Sequence, residues 1–143
     1  MLKGIPAIIS PELIKVLMEM GHGDEIVLAD GNFPAASKAQ RLVRCDGHNI
    51  PDLLEAILKY FPLDTYVKKP VAFMKVVAGD PVKPVIWKKY QDIIKKYNNR
   101  QSDIEYLERF EFYNRASRAY AIVTSSEMAL YANIILKKGV ISG

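Results

Sequence analysis

The sequence predicts an α/β protein: a three-layer α/β/α sandwich, built as a single domain over residues 1–143 around a central sheet of about six strands. Three observations predict it. Helix and strand signals alternate along the chain, with no repeat, low-complexity tract or Gly/Ser linker between them. Several strand candidates are short continuous apolar runs, as expected for a sheet covered on both faces. A chain of 143 residues supplies one hydrophobic core and not two.

The elements follow in order. Ser10-Pro11-Glu12 starts a helix: the serine caps, proline suits the first helical position, and glutamate complements the positive end of the dipole. Leu13, Ile14, Val16, Leu17 and Met20 recur at helical spacing, and Gly21 supplies the stop. Glu25–Ala29 is a buried strand ending at Asp30. Residues 31–40, with Asn32 and Pro34, are loop-like, and Leu42–Cys45 is a second strand. Pro51 opens a helix whose apolar set is Leu53, Leu54, Ile57, Leu58 and Phe61. Val71–Val77 is a strand closed by the turn Gly79-Asp80-Pro81. After Pro84 comes the clearest helix, with Ile86, Tyr90, Ile93, Ile94 and Tyr97 on one face and lysines opposite. Ile104–Leu107 is a weaker strand, Phe110–Arg118 a short helix, and Ala119–Thr124 and Asn133–Leu136 are strands separated by a polar turn and a helical turn near Met128.

Composition removes several function classes. The single cysteine, Cys45, rules out an internal disulfide and zinc sites built on several thiolates. No apolar run approaches the ~18 residues of a membrane span, and the opening Met1-Leu2-Lys3-Gly4 is not the apolar core of a signal peptide, so a cytoplasmic protein with no membrane partner is expected. The net charge of +4 is spread over the pairs Lys68-Lys69, Lys88-Lys89, Lys95-Lys96 and Lys137-Lys138. Nucleic-acid binders gather such charge into a stripe among exposed aromatics, so no nucleic-acid partner is expected. Phosphate-cradling glycine loops and the Gly-x-Ser-x-Gly context of a hydrolase nucleophile are absent, which disfavours ATP, NAD and acyl-enzyme chemistry; no cofactor is expected.

The residues that stand out for chemistry lie at strand ends. His22, between Gly21 and Gly23, precedes the first strand, and an imidazole exchanges protons readily near neutral pH. The bland alternative is a helix-terminal histidine favoured by the dipole. Asp30 follows the same strand, about 20 Å away along an extended chain. The two converge only if the chain bends at Gly23 or Gly31, or if different subunits supply them. His22 with Asp24 makes only two ligands of a metal site, and no third follows at helpful spacing. His48 reads as a surface turn and Cys45 as buried filler. Arg109 offers a planar fork of donors, or else a surface salt bridge. Tyr131 and Asn133 alternate on a strand-like segment, so a phenol and a carboxamide share a face and suit a polyol, or else are satisfied interior groups. Tyr120 adds a hydroxyl inside an apolar strand.

The segments Met1–Ile5, Ile9–Leu13 and Met20–Glu25, then Arg109-Phe110, Phe112-Tyr113 and Tyr131–Val140, make the chain resemble the ribose pyranase / L-fucose mutarotase family over nearly its whole length. The resemblance implies an α/β/α sandwich, a cofactor-independent isomerase, and a ring of subunits, typically ten, with sites near subunit contacts. It implies His22 as catalytic acid/base and Asp30, Arg109 and the segment Tyr131-Ala132-Asn133 as substrate-binding residues. Ribose-type members tend to carry histidine where this chain has Arg109, so the resemblance points to the L-fucose branch.

The implied reaction interconverts the α and β anomers of L-fucose by opening and reclosing the ring. The anomeric hydroxyl loses a proton while the ring oxygen gains one, and a positioned acid/base accelerates this roughly 10²–10⁴-fold. His22 is expected to shuttle one proton; the second carrier is open, with Tyr120 or a bound water as candidates. A ribose-type pyranase and a non-catalytic sugar-binding accessory protein are the alternative readings.

Overall fold

Strand β1 (Glu25–Ala29) occupies the middle of the sheet because four of its five residues are buried from both sides. Around it the chain adds α1 (Pro11–Glu19), α2 (Ala35–Lys38), β2 (Leu42–Val43), α3 (Ile50–Leu58), β3 (Val71–Met74), α4 (Ile86–Tyr97), β4 (Ile104–Leu107), α5 (Arg109–Arg118), β5 (Ala121–Thr124) and β6 (Ile134–Lys137). This is a computed structural model, and it describes residues 1–98 and 103–143. The six strands form one sheet in the order β2-β5-β1-β6-β3-β4. The β5–β1, β2–β5 and β3–β4 pairs are parallel; β6 runs antiparallel to both β1 and β3.

Alternation along the strands sorts the core into two layers. Ile26, Leu28, Phe73, Val123 and Ile134 face the side covered by α1, α3 and α4. Val27, Ala29, Ala72, Ile122 and Ile135 face the side covered by α2 and α5. The three-layer sandwich expected from the sequence is therefore present. Its helices are set by local chemistry: the Ser10 side chain accepts the Leu13 N–H at 3.1 Å and the Asn49 side chain accepts the Asp52 N–H at 2.8 Å, each cap worth about 1 kcal/mol.

The sequence reading overran several strand ends. The second strand stops at Val43, leaving Cys45 buried outside it, and the third stops at Met74, where its partner β4 ends at Leu107. Residues 31–40 hold the short helix α2, which brings the helices among the described residues to five. Tyr131 is not on a strand: its φ is +57°, the left-handed region, and β6 begins only at Ile134. No helix among the described residues is long and apolar enough to cross a membrane.

Candidate active site

Because β6 alone is antiparallel, its start lies on the same sheet edge as the ends of β1, β3 and β4. Four loops converge there, the usual place for a site in an open parallel sheet. Asp30 follows β1, Asp80 lies in the loop after β3, Arg109 opens α5 after β4, and Tyr131 and Asn133 precede β6. Together with Phe33, Met74, Tyr113 and Leu130 they line a cleft of about 230 Å³.

The cleft is held by its own polar contacts. The Asp30 backbone N–H donates to Asn133 Oδ1 at 2.7 Å, and Asn133 Nδ2 donates back to Asp30 Oδ2 at 3.1 Å. Burial pushes the Asp30 carboxyl above its ordinary range, against hydrogen bonds from the Asn32 and Phe33 backbone and from Asn133. The Arg109 guanidinium lies beside the rings of Phe110 and Tyr113, 5.7 and 5.4 Å from their centres, with its Nε donating to Tyr113 Oη at 3.3 Å. Among the described residues it has no ion-pair partner, so the salt-bridge reading of Arg109 fails and its fork faces the cleft. Tyr131 Oη donates to Asp80 Oδ2 at 2.5 Å. That bond, with burial, holds its hydroxyl pKa above the ordinary value, against a hydrogen bond from the Val77 N–H.

The left-handed backbone of Tyr131 costs on the order of 1–2 kcal/mol. Trp87 Nε1 donating to the Tyr131 carbonyl at 2.8 Å, and Tyr90 Oη donating to the Ala132 carbonyl at 2.7 Å, hold it there. Ala132 itself is fully buried and does not line the cleft. A neighbouring hollow of about 310 Å³ shares Asp30 and Phe33, but its other polar side chains already hold partners: Arg44 and Thr124 on Asp46, Ser125 on the Ala29 carbonyl, and Ser37 on the Pro34 carbonyl.

His22 is at the other edge of the sheet. β1 is an unbroken strand from Glu25 to Ala29, with His22 before its start and Asp30 at its end, so the two do not converge within one chain. The imidazole sits on the turn 21–24, where Asp24 Oδ2 accepts the Gly21 N–H at 2.7 Å and the Gly23 N–H donates to the Lys138 carbonyl at 2.8 Å. Gly23 has φ +87°, so glycine is needed there for backbone conformation rather than to clear space around the ring. His22 Nε2 pairs with Asp64 Oδ1 at 3.1 Å, and the ring lies 5.1 Å from that of Tyr66. The His22 side chain is 47% exposed while Asp64 is 4% exposed, so a buried carboxylate engages Nε2 and orients a half-open imidazole. Burial raises the Asp64 pKa, but the Tyr66 N–H, His22 and Lys137 outweigh it and hold the carboxyl below its ordinary range.

Tyr120 also lies at that edge: its backbone N–H bonds the Glu25 carbonyl, its hydroxyl donates to Glu19 at 2.7 Å, and Arg41 covers its ring at 3.9 Å. It is remote from the cleft because β5 enters the sheet from the same end as β1. Sequence reasoning did not find Asp64, which looks like any surface acid, or Asp80, which it read only as part of a turn. No group of three or more His, Cys, Asp or Glu among the described residues is placed to hold a metal ion.

Residues 3–141 match the model of the RbsD / FucU transport protein family. The chain belongs to the RbsD / FucU family. Within that family it is 53% identical to the fucose mutarotase of Mus musculus, over 96% of this chain and 94% of the mouse protein. It is 51% identical to the L-fucose mutarotase of Actinobacillus pleuropneumoniae serotype 5b (strain L20), over 98% and 97% of the two chains. The crystal structure of the Streptococcus pneumoniae fucose mutarotase in complex with L-fucose superposes with a TM-score of 0.94 at 57% identity, covering 99% of this chain and all of that one. The Bacillus subtilis RbsD structure complexed with D-ribose, at 23% identity and a TM-score of 0.74, shares the RbsD / FucU fold.

Proposed function

We propose that this protein is an L-fucose mutarotase, an isomerase that interconverts the α and β anomers of L-fucose by acid/base-assisted ring opening and closure. The cleft carries the reading. Asp30, Arg109 and Asn133 present a carboxylate, a cationic fork and a carboxamide, the donors and acceptors that a polyhydroxylated ring pairs with. Met74 and Leu130 supply apolar wall for the ring's carbon face and its methyl group. The 50–57% identity to named fucose mutarotases supports the choice of sugar.

In this reading the two proton carriers come from different copies of the chain. Tyr131 sits in the cleft, and His22, backed by Asp64, is presented outward at the opposite sheet edge. A neighbouring copy in a homo-oligomer delivers its imidazole over the cleft, which is open on that side. Exposed Phe110, Leu130 and Val77 rim the cleft, and exposed Tyr66 and Ile141 flank the His22 end, as expected of surfaces buried on assembly. A ten-subunit ring in the cytoplasm is the assembly this proposal adopts. The reaction needs two proton transfers and no cofactor.

Saturation-transfer NMR on equilibrated L-fucose tests the function. Magnetisation exchange between the α and β signals rises on adding the protein and does not with His22→Ala. Binding without faster exchange refutes the mutarotase and favours an accessory sugar binder; faster exchange for ribose alone favours a pyranase.

A further inference from the structure

The loop after β3 grips the phenol of Tyr131 with one acceptor and one donor. Asp80 Oδ2 accepts the Tyr131 O–H at 2.5 Å, and the Val77 N–H donates to Tyr131 Oη at 3.3 Å. The loop is built to stay in place: Asp80 Oδ1 accepts the Val82 N–H at 3.1 Å, and the Asp80 N–H donates to the Val77 carbonyl at 3.0 Å. Gly79 makes the turn at φ +88°. With its hydrogen directed at Asp80 and one lone pair taken by Val77, the phenol oxygen has a single acceptor position left for the cleft. A sugar hydroxyl meets Tyr131 only as a donor.

That polarity matters to the chemistry. A neutral phenol cannot keep a second proton, and phenolate is not available in advance, because the adjacent carboxylate and burial raise the Tyr131 hydroxyl pKa. A proton accepted from the sugar must leave on the other side. We propose that Asp80 is the positioning residue that makes Tyr131 a proton acceptor, taking up the phenol's own proton as the anomeric hydroxyl gives up its proton to Tyr131. The inference rests on the mutarotase reading and adds the direction of transfer to it.

The balance closes. As the bond between the anomeric carbon and the ring oxygen breaks, the anomeric O–H proton goes to Tyr131 Oη, and the Tyr131 proton goes to Asp80 Oδ2. The carbon–oxygen bond at the anomeric centre becomes the aldehyde, and the ring oxygen takes a proton from Nδ1 of the neighbouring copy's His22 imidazolium. One carboxylate and one imidazolium become a carboxylic acid and an imidazole. Reclosure on the other face of the aldehyde returns each proton along the same path.

Asp80→Asn keeps the shape, and an oxygen for the Val82 N–H, but removes the base. With the full-length protein, anomer-exchange rates are measured against L-fucose concentration. The expected result is a kcat lower by on the order of 10²-fold with KM within about twofold of the unsubstituted protein. In a Tyr131→Phe background the same substitution costs nothing further, since Asp80 acts through the phenol. Asp80→Glu, which retains the base, recovers part of kcat, and it decides the matter if the asparagine variant does not fold. Unchanged kcat in Asp80→Asn, losses that multiply in the double variant, or no recovery with glutamate overturns the inference. An unsubstituted protein that fails to exchange fucose anomers overturns the mutarotase reading as well, so the two failures are distinguishable.

Discussion

Mixing two inactive variants tests the two-copy site directly. His22→Ala keeps an intact cleft but presents no imidazole; Asp30→Asn keeps His22 and Asp64 but removes the carboxylate charge that Asp30 brings to the cleft. The five residues of β1, about 17 Å at ~3.4 Å per residue, separate the two positions within one chain, so neither variant can repair its own defect. In a mixed oligomer a working site needs the cleft of a His22→Ala chain beside the imidazole of an Asp30→Asn chain. For a fraction p of one variant that probability is p(1 − p), which peaks at equal amounts with about one quarter of sites restored. The two chains are unfolded together, refolded at several ratios, and anomer exchange is followed by saturation transfer. The expected curve is zero at both ends and highest in the middle, near a quarter of the unsubstituted rate. No recovery at any ratio would show that one chain holds the whole site and refute the reasoning.

Three further outcomes follow from single positions. A Cβ on Gly139 would stand 2.6 Å from the Leu63 carbonyl oxygen and 2.8 Å from Asp64 Cα, so Gly139→Ala forces the Asp64 segment away from the end of β6; urea unfolding should show a loss of about 1–3 kcal/mol, and exchange activity should fall further than the folded fraction does. The Asp64 carboxyl lies below its unfolded value of 3.8, so its contribution to stability is complete above that value and is lost as pH falls through the lower folded one. Asp64→Asn should therefore be about 1–3 kcal/mol less stable at neutral pH and converge with the unsubstituted protein in acid, as read by circular dichroism. Arg109→His should change the relative rates on fucose and ribose more than it lowers both, because the guanidinium meets the cleft and, among the described residues, no carboxylate; an equal loss on both sugars would assign it a general role.

Much of the fold was legible because it is written locally. Ser10 and Asn49 cap their helices within three residues, and the apolar face of α4 repeats at the helical period, so neighbours in sequence are neighbours in space. Strand ends were less legible, since a strand stops where its partner stops: Met74 is the last residue of β3 because Leu107 is the last of β4. The helix α2 was missed because it is four residues long and has no side-chain cap.

The amino-acid order by itself determined the layered architecture, the family and the residue types able to hold and protonate a sugar, for these depend on periodicity, caps and motifs within short stretches. Only the tertiary structure decided which of those residues meet. The antiparallel insertion of β6 between β1 and β3 carries Asn133 to Asp30, while the length of β1 holds His22 at the far edge. Asp64 became a partner for His22 through the contact of Leu63 with Lys138, and Asp80 a partner for Tyr131 across 51 residues of chain. Such pairings are set by strand order and direction, which arise from the packing of the whole sheet and leave no mark in any local stretch of sequence.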